Sequence, residues 1–428
     1  MPNIISNVTI PMLGMIDIAI AGRLGNDVTI GAIAIGTAIF NFIYWNCAFV
    51  RMGTSGLTAQ AFGAGNRQEC SNLLGRAMVI CAGLALLLVI LNRPIGNLSL
   101  RLMNGSAEAT SLAARYFFVR IWAAPAAVGL FGLHGWLIGM QDSKTPMIVS
   151  IVNNILNIGF SLWFCFGLDM GIEGIAWGTV IGQYVSLLIT LLIIATRYRS
   201  YFRAIDLREA LNARPLGRFF RINADAFLRT LLVCTVYTFF TAASSRFGDT
   251  VLATNELLMQ LFMLFSYLSD GFDYAAESLT GRFIGAGDRD ALRRTIRALI
   301  VWCGVVALFY VVVYIFLWRA ILGLFSSSAT ILACAADYVV WVILVPLVGF
   351  TPFLIDGILI GAAQTRTMRN TTFWAAAAYF ALFYLLVGRL GNTALWIAFL
   401  GFIVIRFVLM LVATHGLSTD RLMKGAKD

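Results

Sequence analysis

An isolated carboxylate in an apolar stretch near the start of the sequence has the clearest capacity for chemistry. Asp17 lies within residues 11–22, which are otherwise apolar or glycine, and no basic residue lies within one helical turn of it. Low-dielectric surroundings disfavour a charged carboxylate, so Asp17 could bind and release a proton or hold a cation. The alternative is a buried carboxylic acid that polar neighbours satisfy.

Polar side chains recur in three other apolar stretches of the same half. They are Asn41 and Tyr44, then Asn153, Asn157 and Ser161, and then Thr179 and Gln183. Within the second and third groups the spacing is four residues, so each group lies on one helix face. We interpret these residues as partners of Asp17 or as the lining of a polar cavity. Hydrogen bonding between membrane helices is the alternative role.

Acidic side chains form a separate group in the second half. Asp270, Asp273 and Glu277 share one helix face, and Asp356 lies in a later apolar stretch. They are candidates for an acidic site or a gate at the cytoplasmic mouth, with solvated carboxylates as the alternative. Arg51 aligns with Asp273 in an internal repeat with an offset of 222 residues. We therefore expect Arg51 to pair with Asp270 or Asp273 and to help close an inner gate.

The elements that position these residues must lie in a membrane. Of the 428 residues, 60% are apolar and only 12% are charged, whereas a soluble domain carries about 25% charged residues. This composition excludes a soluble enzyme, a disordered chain and a disulfide-rich secreted domain. No Walker loop, GxSxG, HExxH or paired-cysteine motif occurs, so we expect no enzyme, no cofactor and no metal site other than Na⁺ at Asp17.

Twelve stretches reach the roughly 20 apolar residues that a spanning helix needs. Their uninterrupted runs favour helices over a barrel, and no cleavage site follows the first one, so we expect it to be retained. The approximate limits are 2–22, 30–50, 73–92, 114–139, 146–166, 174–196, 218–244, 251–272, 296–317, 337–361, 370–388 and 393–415.

Basic residues indicate the orientation of these spans. Twenty lie in the even-numbered connections and the C-terminal tail, and seven lie in the odd-numbered connections. Cytoplasmic loops carry the excess of Lys and Arg, so both termini should be cytoplasmic. The net charge of +10 then reflects topology and contact with anionic lipid rather than binding to nucleic acid.

The sequence repeats itself at an offset of 222 residues. Motifs at 57–67 return at 279–289, and Gly-x-x-x-Gly at 135–139 returns at 357–361. Each half holds six spans, so both halves have the same orientation and should be related by an axis along the membrane normal. We predict two pseudo-symmetric six-helix lobes, 1–196 and 218–428, joined by a basic linker at 197–217. Such parallel repeats are typical of an alternating-access carrier.

Five motifs stand out along the chain, namely DIAIAGRLG at 17–25, RMGTSGLTAQ at 51–60, GWLIGMQDSKTP at 135–146, DGFDYAAE at 270–277 and DGILIG at 356–361. They resemble the multidrug and toxic compound extrusion (MATE) family, specifically its DinF-like branch. The resemblance covers nearly the whole chain.

This resemblance implies export of amphipathic, often cationic compounds in exchange for H⁺ or Na⁺. In the related branch a carboxylate of the first span is the main coupling residue, which falls on Asp17, and an Asn and a Thr fall on Asn157 and Thr179. A second coupling carboxylate would fall on Ser161, so Asp17 is the only carboxylate in the membrane core of the first lobe.

We therefore expect a monomeric, cation-coupled antiporter in the bacterial inner membrane. Its partners would be small amphipathic molecules, H⁺ or Na⁺ and the lipid bilayer. The rival interpretation is a lipid-linked oligosaccharide flippase of the same architecture, which would need basic residues facing its cavity. Apart from Arg51, the deep basic residues are Arg120, Arg229 and Arg406. The substrate and the coupling ion stay open at this point.

Overall fold

The computed structural model describes residue 20 and residues 27–103, 106–325 and 328–425. The predicted first span, 2–22, therefore lies outside the described residues except for Ile20, and so does Asp17. The described part is almost entirely helical and contains no strand. The predicted all-α polytopic fold is confirmed in these ranges.

The chain divides into two compact units, Met1–Phe220 and Arg221–Asp428. The described α-helices of the first unit are α1 (Asp27–Cys47), α2 (Phe49–Gly63), α3 (Arg67–Ile90), α4 (Asn92–Leu102), α5 (Ala107–Arg120), α6 (Ala124–Gly139), α7 (Lys144–Leu162), α8 (Gly171–Arg197), α9 (Arg199–Arg203) and α10 (Leu207–Ala210). A 3-10 turn (Ile121–Ala123) joins α5 to α6, and a π-helical turn (Trp163–Gly167) ends α7.

Helix α11 (Ala213–Ser244) leads from the first unit into the second. It is followed by a 3-10 turn (Ser245–Phe247). The remaining α-helices are α12 (Asp249–Ala286), α13 (Arg289–Phe325), α14 (Ala329–Gly361), α15 (Thr365–Leu390), α16 (Asn392–Ala413) and α17 (Thr419–Gly425).

Eleven helical stretches in the described ranges are long and apolar enough to cross a membrane. They correspond to the second to twelfth predicted spans. Several extend beyond the apolar prediction, and α13 begins at Arg289 although the predicted span began at 296. A helix satisfies its own backbone hydrogen bonds, so it can continue past the apolar layer with charged side chains in water.

The segment predicted as a linker, 197–217, contains α9 and α10, which contact α3. The side-chain amide of Gln68 donates a hydrogen bond of 2.9 Å to the carbonyl of Ala204. Arg76 Nε donates one of 2.9 Å to the carbonyl of Ala210. These bonds hold the segment against the first unit.

The internal repeat is visible in how helices cross within each unit. In the first, Gly135 of α6 lies against the backbone of Arg51 on α2, where an added Cβ would lie 2.6 Å from the Arg51 carbonyl oxygen. In the second, Gly357 of α14 lies against the backbone of Asp273 on α12. The two pairs are related by the offset of 222, and each close approach requires a glycine.

Turns repeat in the same way. The turn after α2 has Gly65 at φ +67°, and the turn after α12 has Gly287 at φ +71°. Asn66 and Asp288 then cap the next helix by accepting from the backbone N–H three residues later, at 3.0 and 2.8 Å. The two halves therefore share local geometry as well as sequence.

Asn255 of α12 is the hub of a polar network in the core of the second unit. Its side-chain nitrogen donates to Ser244 Oγ at 2.8 Å and to Asn392 Oδ1 at 2.7 Å. Its oxygen accepts from Trp396 Nε1 at 3.0 Å. The Trp396 ring in turn packs edge-on against Phe240, with centroids 4.9 Å apart. This network ties α11, α12 and α16 together.

Candidate functional site

A stripe of glycines on α8 positions the polar residues of α7. Gly178 packs on Ser161, where an added Cβ would meet the side chain and would lie 2.6 Å from the backbone nitrogen. One turn later, a Cβ on Gly182 would lie 3.2 Å from the backbone nitrogen of Asn157. Small residues at a spacing of four allow membrane helices to approach closely. Glycines occur at this spacing at positions 174, 178 and 182. In addition to the polar residues, they indicate which face of α8 contacts another helix.

The close approach brings three of the four predicted coupling residues together. Asn157 Nδ2 donates to Thr179 Oγ1 at 2.8 Å, and Thr179 Oγ1 donates to the carbonyl of Ile175 at 3.2 Å. Ser161 Oγ donates to the same carbonyl at 3.5 Å. All three side chains are buried. The fourth residue, Asp17, lies outside the described residues.

The side-chain oxygen of Asn157 is the notable atom in this group. It is buried, and no hydrogen-bond partner for it occurs among the described residues. A buried carbonyl oxygen of this kind can accept a hydrogen bond from a protonated carboxyl group or coordinate Na⁺. The α7–α8 pair therefore offers an acceptor that suits either a protonated carboxyl group or Na⁺.

The predicted cavity residues are more dispersed. Asn153 Oδ1 accepts from Ser186 Oγ at 3.3 Å, and Asn41 on α1 is exposed. The hydroxyl of Tyr44 and the side-chain oxygen of Gln183 are buried without a hydrogen-bond partner in the described part of the chain. Tyr44 and Gln183 therefore each have a buried polar atom in the first unit that makes no hydrogen bond within the described part of the chain.

Arg120 on α5 is a buried cation that the sequence-based prediction of the site did not include. Its side chain is 8% exposed, donates to the hydroxyl of Tyr116 at 2.5 Å, and lies 4.8 Å from the centroid of the Phe40 ring. It also interacts electrostatically with Tyr44. Arg120 could have been recognised from the sequence because it lies inside a predicted span, where an arginine needs a functional or structural reason.

Asp142 ties the turn after α6 to the end of α8. It accepts hydrogen bonds from the Thr145 backbone at 3.1 Å, the Thr145 hydroxyl at 2.7 Å and the Tyr198 hydroxyl at 2.9 Å, and it pairs with Arg197 at 3.3 Å. Burial alone would raise the pKa of Asp142, but these hydrogen bonds and the Arg197 charge hold it below its usual value. Burial, and then the bond to Asp142, raise the pKa of Tyr198 to about 12.

In the second unit, Asp356 is bound by two arginines. Arg229 of α11 and Arg406 of α16 each donate through Nη2 to the same oxygen, Asp356 Oδ2. The sequence indicated all three residues separately and did not predict that they meet. Asp356 is thus an ion-paired carboxylate in this structure.

The acidic face of α12 is largely buried. Asp273 lies against Gly357, and Glu277, which is fully buried, lies against Gly361. Asp270 is half-buried. Arg51 is 6% exposed in the first unit, whereas the acidic face belongs to the second, so its pairing with Asp270 or Asp273 stays a prediction.

These features define the class of the protein. Long apolar helices, an internal repeat and buried polar groups within each unit are those of a polytopic membrane transporter. The chain belongs to the MATE family, since the MatE family matches residues 2–163 and 226–385. Members of this family are transporters and not enzymes.

A similar relative is DNA damage-inducible protein F of Escherichia coli K12. The two are 37% identical over 409 residues, which is 95% of this chain and 88% of the relative. Multidrug resistance protein MdtK of Edwardsiella ictaluri is 21% identical over 93% of this chain and 90% of its own. The first of these supports the DinF-like assignment.

Solved structures share the fold. A crystal structure of MATE in the bent conformation matches with a TM-score of 0.87 at 19% identity, covering all of this chain and 94% of that one. A MOP superfamily transporter from Pyrococcus furiosus matches with a TM-score of 0.87 at 20% identity, covering all of this chain and 95% of that one. At these identities the likeness concerns the fold alone.

Proposed function

We propose that this transporter exports amphipathic, often cationic compounds in exchange for H⁺ or Na⁺ by alternating access. Family membership and a relative named as a multidrug resistance protein support this proposal. The parallel internal repeat supports alternating access, because carriers built from two equivalent repeats commonly work by moving one repeat against the other. The relatives give no support to a lipid-linked oligosaccharide flippase.

The buried oxygen of Asn157 is the observation that carries the coupling scheme. In this scheme Asp17 takes up the cation, and Asn157, Ser161 and Thr179 stabilise the loaded state. A protonated Asp17 could donate to Asn157 Oδ1, and a bound Na⁺ could be shared by the two side-chain oxygens. Either a proton or Na⁺ would neutralise the net charge at Asp17 and thereby bias the equilibrium between the two states of the carrier.

The remaining predicted residues take supporting roles in the proposal. Asn41, Tyr44, Asn153 and Gln183 would line the polar part of the substrate path. Asp270, Asp273 and Glu277 would form the acidic inner gate, with Arg51 as its basic partner. Asp356 would contribute as the counter-ion of buried arginines. The gate pairing can be tested by exchanging the charges of Arg51 and either Asp270 or Asp273, because only a true partner restores transport.

We also propose a monomer in the bacterial inner membrane with both termini on the cytoplasmic side. The excess of basic residues in the even-numbered connections supports this orientation. Reporter fusions at the C-terminus and after residue 248 should report opposite sides of the membrane. The same side for both fusions would contradict the topology.

The central experiment replaces the coupling carboxylate. Asp17→Asn in a strain without its own pumps should abolish ethidium efflux while the protein still reaches the membrane. Asp290→Asn, a matched change at an exposed position at the start of α13, should leave efflux intact. Full efflux by Asp17→Asn would refute the scheme. Efflux across a pH gradient, with and without sodium, then identifies the coupling ion.

A further inference from the structure

Two buried arginines in the second unit share a single carboxylate oxygen. Arg229 and Arg406 both bond Asp356 Oδ2, and the side chains are 13%, 6% and 4% exposed respectively. Asp356 lies five residues before the end of α14, and Arg406 lies seven residues before the end of α16. In the predicted orientation both helix ends are cytoplasmic, so the trio belongs to the inner half of the unit.

The arginines have more hydrogen-bonding capacity than this contact uses. Two guanidinium groups present ten N–H donors in planar forks that match a carboxylate or phosphate bidentately. Here the Nε of each arginine, as well as Asp356 Oδ1, is buried without a hydrogen-bond partner among the described residues. Buried donors are normally satisfied by protein, water or a ligand. The geometry therefore leaves donors ready for a further acceptor.

The charges around the trio indicate which group such an acceptor would have to displace. Asp356 neutralises one arginine, and Asp273 of α12 interacts electrostatically with Arg229. The phenol group of Tyr237 lies within electrostatic range of both arginines. Because Asp356 already bonds both arginines, an arriving anion would have to compete with Asp356 for the guanidinium groups.

We propose that Arg229 and Arg406 form a binding site for an oxyanion, and that Asp356 occupies this site as an internal competitor until the oxyanion displaces it. The group bound is the carboxylate of a zwitterionic substrate or the phosphate of an anionic lipid headgroup. In its substrate form the inference rests on the proposed export function and adds zwitterionic compounds to its substrates. A solely structural ion cluster is the competing explanation.

The test compares two probes that differ only at one carboxylate, rhodamine B and its ethyl ester. Binding to the purified full-length chain is measured by fluorescence anisotropy in detergent. Asp356→Asn keeps the side-chain shape and removes the competitor. It should tighten rhodamine B binding by about tenfold or more, which is about 1.4 kcal/mol, and leave the ester unchanged.

Two further variants separate this effect from a general change in charge. Arg229→Gln combined with Asp356→Asn restores the net charge of the wild type but leaves one guanidinium group, so the gain should disappear. Asp225→Asn removes another buried carboxylate of the same unit, which pairs with the partly exposed Arg369. As a matched control it should leave both affinities unchanged.

The proposal is overturned if Asp356→Asn binds rhodamine B no more tightly than the wild type, or if the ester gains equally. Should Asp356→Asn fail to fold, Arg406→Gln in the wild-type background provides the test. It should weaken rhodamine B but not the ester, and an equal effect on both would overturn the proposal. Efflux of the cationic ester is measured in parallel, so a failed export function is distinguished from a failed oxyanion site.

Lipid nanodiscs identify the source of the oxyanion. If a headgroup occupies the site, phosphatidylglycerol should weaken rhodamine B binding to Asp356→Asn relative to phosphatidylcholine alone, and should not do so in the double variant. If the natural ligand is the carboxylate of a substrate, the affinity of Asp356→Asn for rhodamine B should be the same in both lipids. Both results presuppose that Asp356→Asn binds rhodamine B about tenfold more tightly than the wild type. Without that gain in affinity the proposed site is rejected.

Discussion

The packing of α8 on α7 can be tested by one added methyl group. In Gly178→Ala the new Cβ would meet the Ser161 side chain and would lie 2.6 Å from the Ser161 backbone nitrogen. The side chain could rotate away, but the backbone cannot, so the two helices must separate. Gly159 of α7 offers a matched control because an added Cβ there meets nothing within 4 Å.

The two substitutions should change stability in opposite directions. Ala in place of Gly favours a helix by about 0.5–1 kcal/mol, and this gain applies to both variants. Overpacking costs about 1–3 kcal/mol, and only Gly178→Ala incurs it. At roughly 2–4 °C per kcal/mol for a unit of this size, Gly178→Ala should melt several degrees lower than Gly159→Ala.

Thermal unfolding of the purified variants and dye efflux in cells measure the two consequences. Separation of the helices should also lengthen the bond from Asn157 to Thr179, which is 2.8 Å in the structure, so efflux should fall in Gly178→Ala alone. Adding Ser161→Ala should not restore stability, because the backbone contact remains. Equal melting of both glycine variants, or full rescue by Ser161→Ala, would refute the reasoning.

Two further predictions concern polar contacts outside the proposed coupling site. Because the folded-state pKa of Asp142 is lowered, its contribution to stability is present above the unfolded value of about 3.9 and is lost as pH falls through the folded-state pKa. As the pH is lowered, the melting temperature of Asp142→Asn should therefore fall less steeply than that of the wild type. Identical dependence of the two melting temperatures on pH would contradict this. Asn255→Ala leaves Trp396 and Asn392 without buried partners, so it should cost roughly 1–3 kcal/mol in denaturant unfolding, whereas Asn370→Ala on exposed α15 surface should cost little.

Sequence patterns located the membrane helices well, since a long apolar run has few alternatives in a bilayer. The predicted span began too late at α13, whose first turns carry Arg289, Arg293 and Arg294, because hydropathy registers the apolar layer and not the helix. The repeat at an offset of 222 was equally visible, and it reappears in the crossings at Gly135 and Gly357.

The candidate site was only partly predictable. The spacing of Asn157 and Ser161 indicated one helix face. The structure adds a hydrogen bond from Asn157 to Thr179, and the coupling role of these residues stays a prediction. The glycine spacing on α8 is present in the sequence, but it does not specify which helix lies against those glycines. Asp142, likewise, could not be predicted to meet Tyr198, because that contact depends on where the turn after α6 lies against the end of α8.

The sequence by itself determined that this chain is a membrane transporter with two equivalent halves. Those properties follow from hydropathy, charge bias and repetition, all of which are local or periodic. Only the tertiary structure decided that Asp356 meets Arg229 and Arg406, which lie 127 and 50 residues away in the chain. Helix periodicity specifies the face on which a residue lies, but which distant face it meets depends on how the helices pack against each other.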